Sequence, residues 1–565
     1  MRQWMVAAKK ADFYVIAEKF HVDPVVARII RNREVIGEKN IRIYLGGNLS
    51  DLSDPHQMKD MDRLVEILAQ KIRKQVHIRI IGDYDVDGVT SSHLFLTALR
   101  RVGAKVDVVI PHRIQDGYGL SLHLLQQAKE DGVDTILTCD NGIAAIDEIA
   151  WAKAQKMTVL VTDHHAVPFE EHEGRRTEKK SLADAVVNPH QQDCGYPYKE
   201  LCGAGVAWNV IRVLYENYDM DKREAEDLLD FVAMATVCDV MSLTGENRIL
   251  VKEGLKRIRH TKNIGLQALM QACNVQPENI SAYHFGYVLG PCVNATGRLD
   301  TARHALRLFE TGQETEAEEI ARDLVDLNQE RKELTLQGVE MAKKLCEEGG
   351  YENDPVLVLF LPDVHESIAG LIAGRIREMY NRPVFVLTRG EEGVKGSGRS
   401  TENYSMYENM CGCAELFTKF GGHPMAAGLS LPEENVEKFR RKINENCPLT
   451  VEEVCPDIHI DMAMPVGYAS TELVHQFALL EPFGKDNPSP LFADRNLSIS
   501  RMWVIGKNRN VLRMSVLSEY GQPVPVIFFG DVETLFAYFT EKFGQKEVEN
   551  ALHGRQNRIL FSMVY

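Results

Sequence analysis

The sequence predicts an α/β protein made of a parallel-sheet core, a long bridging helix, a second α/β domain and a C-terminal β-barrel. Three observations carry this reading. Between residues 76 and 189, five short runs rich in β-branched residues alternate with helical segments, the pattern of a mostly parallel sheet covered on both faces. From 315 to 345, Ile320, Leu324, Leu334, Met341 and Leu345 recur at roughly helical spacing. Over the last hundred residues, short alternating runs replace the strand-helix rhythm.

Residues 1–75 read as a helical segment, with turns at Gly46-Gly47 and Ser53-Asp54-Pro55 and an amphipathic stretch from Met61 to Lys74. The core domain, 76–305, places its strands at VHIRIIG (76–82), KVDVVIP (105–111), DTILTCD (134–140), MTVLVTD (157–163) and ADAVVNP (183–189). Ligands of such sheets bind at the carboxyl ends of the strands, and four of these five deliver acidic or basic residues there. Helical pattern dominates from Ala204 to about Lys344, and the bridging helix is assigned to 306–350. The second α/β domain, 351–450, has strands at PVLVLFLP (355–362) and PVFVLT (383–388) around a helix at GLIAGRIREMY (370–380). The barrel, 451–565, has runs at 458–464, 496–506, 511–518, 524–530 and 558–565.

Composition narrows the class. The chain has 565 residues, 44% hydrophobic, with 65 Lys plus Arg against 81 Asp plus Glu and a formal charge of −16, so several globular domains are expected and disorder is not. Eleven cysteines without framework spacing read as reduced thiols. The first twenty residues carry charges within their apolar run, and no 18-residue apolar stretch occurs; a cytoplasmic location is therefore expected. A net negative chain repels polyphosphates, which speaks against indiscriminate nucleic-acid binding. The charge is uneven, however: residues 310–353 hold 13 acidic and 5 basic side chains, half of the total imbalance.

The chemistry sits at the strand ends. GDYDVDG (82–88) puts Asp83, Asp85 and Asp87 at two-residue spacing around a turn, a crowding of carboxylates that is costly unless a cation neutralises it. A calcium loop would need a following glutamate and flanking helices, which are missing. The third strand ends in Asp140-Asn141-Gly142, the fourth in Asp163-His164-His165, and an apolar helical run ends in VCDV with Asp239. Carboxylates and imidazoles converging on one sheet edge predict a binuclear site for divalent metal, and the mixed oxygen and nitrogen donors suit Mn²⁺ better than Mg²⁺. Cys139 and Cys238 precede motif aspartates by one residue and read as core packing.

Together, GDYDVDG, DNG, DHH and Asp239 resemble the four motifs of the DHH phosphoesterases. GGHPMAAG (421–428) resembles the signature of the DHH-associated domain. With LLEPFGKDNPSPLF (479–492) and the β-rich tail, almost the whole chain resembles the single-strand-specific 5′ to 3′ exonucleases of that superfamily. The resemblance implies that Asp140 bridges two ions, Mn²⁺ or Mg²⁺. Asp83 would help to hold one, and Asp85, His164 and Asp239 the other, with His165 facing the scissile phosphate. Some relatives carry a metal-binding histidine just before the first motif; here Arg79, Ile80 and Ile81 precede Gly82, and His77 reads as a strand residue. The coordination of the first ion therefore stays open, with Asp87 a weaker participant.

The resemblance also implies that Arg113, Ser397 and Arg399 bind a 5′ phosphate, that Tyr118 stacks on a terminal base, and that Arg298 contacts the scissile phosphate. KGSGRS (395–400) has a composition suited to cradling phosphate with backbone N–H groups. His423 can donate to a phosphate or order the cleft. The tail resembles an oligonucleotide-binding (OB) fold, with Arg495, Arg501, Lys507, Arg509 and Arg513 around Trp503 and no acid among them. By the same resemblance, single-strand-binding protein and a RecQ-type helicase are expected partners, in recombination and repair. The alternatives are another DHH phosphoesterase acting on short oligonucleotides or nucleotides, and a non-catalytic replication scaffold.

Overall fold

The computed structural model describes every residue except 1–3, 113–115, 117, 118, 173, 174, 300, 391, 392, 507 and 508. The five apolar runs of the core form one parallel sheet. Strands β1 (Ile78–Ile81), β2 (Val106–Val109), β3 (Thr135–Cys139), β4 (Thr158–Thr162) and β5 (Ala185–Val187) lie in the order β2-β1-β3-β4-β5. β1, β3 and β5 are buried throughout, because helices cover both faces. Helices α1 (Val86–Arg101), α2 (Gly203–Asn217) and α3 (Leu229–Cys238) pack on one side through Phe95, Leu99, Trp208 and Phe231. Leu122–Glu130 and Ile146–Ala154 cover the other through Leu125, Ile149, Val159 and Val161. The strand order reverses between β1 and β3, which makes their carboxyl ends the natural ligand crevice of the sheet.

His93 of α1 is fully enclosed, its ring 4.5 Å from Phe231 and 5.8 Å from Phe309. Burial disfavours the imidazolium and lowers its pKa from 6.5 to about 3. Between those values the unfolded chain binds a proton that the folded chain does not, so this group removes stability as pH falls from 6.5 towards 3, by up to about 5 kcal/mol. His93→Leu is expected to flatten the fall in melting temperature between pH 6.5 and 5; an unchanged pH profile would show that His93 is not buried as described.

The bridging segment starts later than the pattern indicates. Ala302–Glu310 is a separate helix, and Gly312 lies in the break before the 35-residue helix Glu314–Glu348. Ahead of both lies α4 (Gly290–Leu299). In the second domain, β6 (Leu357–Phe360) and β7 (Val384–Gly390) pair in parallel, with α5 (Glu366–Tyr380) connecting them. The sheet continues antiparallel through β8 (Gly393–Arg399), β10 (Ala426–Leu431) and β9 (Lys419–His423).

KGSGRS is thus a strand and not a phosphate-cradling loop. β8 has ladder partners on both sides, which occupies its backbone N–H groups. Its glycines are packing residues: a Cβ on Gly396 would lie 2.4 Å from Leu387, and one on Gly398 would lie 2.3 Å from Met406. The two-residue period then turns Lys395, Ser397 and Arg399 to the opposite, part-exposed face.

The chain divides into two compact units, 46–456 with 482–487, and 1–45 with 457–481 and 488–565. The N-terminal segment 1–75 is therefore divided. Met61–Arg73 packs under the core sheet, whereas Trp4–Val6 forms a parallel pair with Ile458–Ile460. Arg33 grips the buried Asp461 with two hydrogen bonds of 2.7 and 3.0 Å. Such long-range pairings leave no periodic trace in sequence. In this second unit Met462–Ala463, β11 (Phe492–Ile505), β12 (Val511–Leu517) and β13 (Pro523–Phe529) follow one another, and β14 (Leu560–Val564) pairs with β11, giving a curled half-barrel. Helices Val532–Phe543 and Gln545–Leu552, which the strand pattern does not disclose, are inserted before β14 and bury Phe539 and Ala551 against Met502, Leu512 and Val516.

Candidate metal centre and nucleic-acid cleft

β1 and β3 end beside one another and launch the two acidic turns. Asp85 caps α1, accepting from the Gly88 N–H at 3.0 Å. Asp87 turns back to accept from Gly203 N at 2.6 Å and Ala204 N at 2.7 Å, satisfying two of the open donors at the start of α2. Gly203 allows that approach, since a Cβ there would stand 2.6 Å from the Cβ of Asp140. Asp140 itself is left-handed, with φ 61°. Its turn is pinned by Asn141, which donates to Ile81 O at 3.1 Å and Cys139 O at 2.9 Å.

Asp163 follows β4 and is buried. It accepts from Ile143 N at 2.8 Å, His164 N at 2.7 Å, His165 N at 3.1 Å and His165 Nδ1 at 2.8 Å. Burial alone would raise its pKa, but the bond to His165 and the charges of both histidines outweigh it and hold the carboxyl low. The converse holds for His165: burial opposes its charge, and the Asp163 carboxylate overcomes this and raises its pKa to about 9. His164 is more deeply buried, and its pKa is lowered by desolvation.

His164 Nε2 lies 3.0 Å from Asp140 Oδ1, 3.6 Å from Asp239 Oδ2 and 3.7 Å from Asp87 Oδ2. Three overlapping donor groups result: Asp83 with Asp85 and Asp140; Asp140 with His164 and His165; and Asp87 with His164 and Asp239. Burial and mutual repulsion push Asp140 and Asp239 well above the ordinary carboxylate range and raise Asp85. A donor set this crowded and this desolvated fits divalent cations, which would relieve the repulsion. Asp140 belongs to two of the groups. Asp239 closes the third from the C-terminal end of α3, and Val240 after it takes φ 54°, unusual for a β-branched residue and a common mark of functional turns. His77 is paired with Asp107 at 3.0 Å and belongs to none of these three groups. Cys139 is buried and raised to about 12, while Cys238 donates to Phe285 O; both are packing thiols.

Beside the first acidic turn, a cavity of about 420 Å³ is lined by Tyr84 of the first motif and by Ser367, Ser397, Lys419, Phe420 and Lys395 of the second domain, the last paired with Glu366 at 2.8 Å. Arg298, at the end of α4, donates to Ser367 O and ties the two domains together. Arg399 is one strand step from Ser397, donating to Gly398 O at 2.7 Å. His423 is exposed at the end of β9 and does not line the cavity. Arg113 and Tyr118 lie outside the described residues. Two features escaped the sequence reading: the anchoring by Asp163, and Lys485, whose charge acts on Asp239 and whose carbonyl accepts from Leu243 N at 2.9 Å. The tripeptide motif already contained Asp163, but its four donors come together only in the fold.

Models of the DHH family N-terminal domain match residues 77–236, of the DHHA1 domain 353–447 and of the RecJ OB domain 460–553. The chain is 34% identical to the single-stranded-DNA-specific exonuclease RecJ of Haemophilus influenzae, over 88% of each chain. It is 33% identical to that of Bacillus subtilis, over 90% of this chain and 63% of the relative, so it spans less than two thirds of that protein. The crystal structure of RecJ from Thermus thermophilus in complex with Mn²⁺ superposes with a TM-score of 0.78 at 26% identity, covering 93% of this chain and 76% of the other; the same protein in complex with Mg²⁺ gives 0.73. Among the described residues no helix is long and apolar enough to cross a membrane. With three domain models in register and the acidic and histidine motifs gathered at one sheet edge, the chain belongs to the RecJ family of DHH phosphoesterases.

Proposed function

We propose that this chain is a metal-dependent exonuclease that degrades single-stranded DNA from the 5′ end to mononucleotides, in recombination and repair. The observation that carries it is the convergence of three donor groups on Asp140 and His164, beside a cavity that Tyr84 of the first motif lines together with Ser397, Lys419 and the Lys395–Glu366 ion pair. The RecJ OB domain favours a polymer over a dinucleotide or free nucleotide, because such folds track single strands by combining cations with stacking aromatics. In the OB-like unit Trp503 stands under Arg501 at 4.9 Å and Arg513 at 6.0 Å. On this reading 76–305 is the phosphoesterase domain, 306–350 the bridging segment, 351–450 the DHH-associated domain and 451–565 the strand-binding domain. Contacts with single-strand-binding protein and a RecQ-type helicase belong to the same proposal.

Following the donor groups, Asp83, Asp85 and Asp140 would hold one cation, which moves Asp85 away from the ion that the family resemblance gives it, and Asp140, His164 and Asp239 would hold the second, with Asp87 beside them. Bound there, Mn²⁺ or Mg²⁺ supplies charge neutralisation at the phosphate and an acidified water. The side chains do the rest. His165, fixed at Nδ1 by Asp163, presents Nε2 as a donor to the scissile phosphate. Arg298 holds that phosphate from the other side, and Ser397 and Arg399, with Arg113, take the 5′ phosphate. Tyr118 stacks on the terminal base.

The test uses single strands labelled at either end, with Mn²⁺ present. The 5′ label is expected to leave first, as a mononucleotide; early release of a 3′ label would overturn the polarity. Arg399→Ala should reduce the preference for a 5′-phosphorylated over a 5′-hydroxyl end about tenfold. Equal losses on both substrates would remove the end-binding role.

A further inference from the structure

We propose that Tyr283 and Tyr287 form a stacking platform for the bases of single-stranded DNA, on the 3′ side of the cleavage point. The inference rests on the single-strand exonuclease reading and adds a binding element to it. The two rings are 62% and 71% exposed, their centroids are 5.0 Å apart, and their planes are 22° from parallel. They stand one helical turn apart on a single face. Singly scattered surface aromatics are ordinary; two nearly parallel exposed rings, both held in place, are not scattered.

What holds them is local. His284 packs edge-on against Tyr283, with centroids 5.7 Å apart and planes at 88°. Its Nδ1 is tied to Ser281, at 3.2 Å from the backbone N and 3.0 Å from Oγ. Tyr287 sits in a π-helical turn, Phe285–Leu289, a distortion frequent at functional sites.

That turn is braced against the metal edge. Cys238, the residue before Asp239, donates from Sγ to Phe285 O at 3.3 Å. Gly290 closes the turn against the same thiol, where a Cβ would stand 2.3 Å from Sγ. α4 then runs on from Gly290 to Arg298, eight residues or about 12 Å of helix, and ends against Tyr84 and Ser367. One helix therefore joins the tyrosines to Arg298, the arginine proposed at the scissile phosphate. Nucleobases are the occupant this geometry selects: each has a π-face, and stacking accepts any sequence, as a degradative exonuclease requires.

The experiment compares the full chain with Tyr283→Ala/Tyr287→Ala and Tyr283→Phe/Tyr287→Phe variants, on 5′-phosphorylated strands of about four to about twenty nucleotides with Mn²⁺. Ala/Ala should raise KM on the long strands roughly tenfold, leaving kcat and the KM of the shortest strand unchanged, and Phe/Phe should behave as the parent. The platform is overturned by an unchanged KM on long strands, by an equal loss on the shortest strand, or by impairment of Phe/Phe. Should the parent hydrolyse no single strand, the exonuclease reading fails by itself. Binding of a fluorescent long strand without metal then decides the platform: a tenfold weaker Kd for Ala/Ala supports it, and an equal Kd removes it.

Discussion

Asp140→Asn is expected to fold and to lose at least about 10³-fold in cleavage, because Asp140 contributes to two donor groups at once. Its carboxyl is held well above the usual range by burial and by Asp87, Asp85, Asp239 and Asp83, so removing it relieves repulsion in the metal-free protein. The melting temperature without metal should stay level or rise. Asn also tolerates the left-handed φ of 61° at this position. Asp140→Ala should lose the same activity, but gives back about 1 kcal/mol in backbone strain. Calorimetric titration with Mn²⁺ should show weakened binding at both sites. A variant of unchanged fold that keeps a tenth of the activity would remove Asp140 as the shared ligand.

Asp163→Asn is expected to lower kcat about 10²-fold with metal affinity nearly intact. The carboxylate accepts four N–H groups and belongs to no donor group. An amide has one acceptor oxygen where the carboxylate has two, so it frees the His165 ring or leaves a buried N–H unsatisfied. Each unsatisfied donor costs about 1–3 kcal/mol, so some stability is lost as well. The diagnostic pattern is a fall in kcat larger than any change in KM or Mn²⁺ affinity, on a variant shown to be folded. A kcat within threefold of the parent would mean that His165 needs no orientation by Asp163.

The core sheet was legible because its strands are buried on both faces and spell themselves as unbroken β-branched runs. Three of the four acidic and histidine motifs were legible because each follows such a run directly, and the fourth, Asp239, because it ends an apolar helix. Local pattern misleads where glycine serves packing: KGSGRS reads as a loop, although Gly396 and Gly398 make room for Leu387, Met406 and Phe385 beneath a strand. It is silent where partners are far apart in sequence. Asp87 reads as a marginal ligand, yet it also caps a helix 116 residues away. Arg33 finds Asp461 across 428 residues, which moves the first helices into the unit of the C-terminal sheet. Tyr283 and Tyr287 lie in a helical stretch where nothing in the pattern distinguishes an exposed ring from a buried one.

The hydrogen bond from Arg298 to the Ser367 carbonyl joins the end of α4 to the start of α5, where Ser367 lines the cavity together with Tyr84 of the first motif. On the proposed reading, that bond would set the spacing between the acidic turns and the surface proposed to receive the strand's leading end. On the proposed exonuclease reading, that spacing would act as a gauge for the piece released.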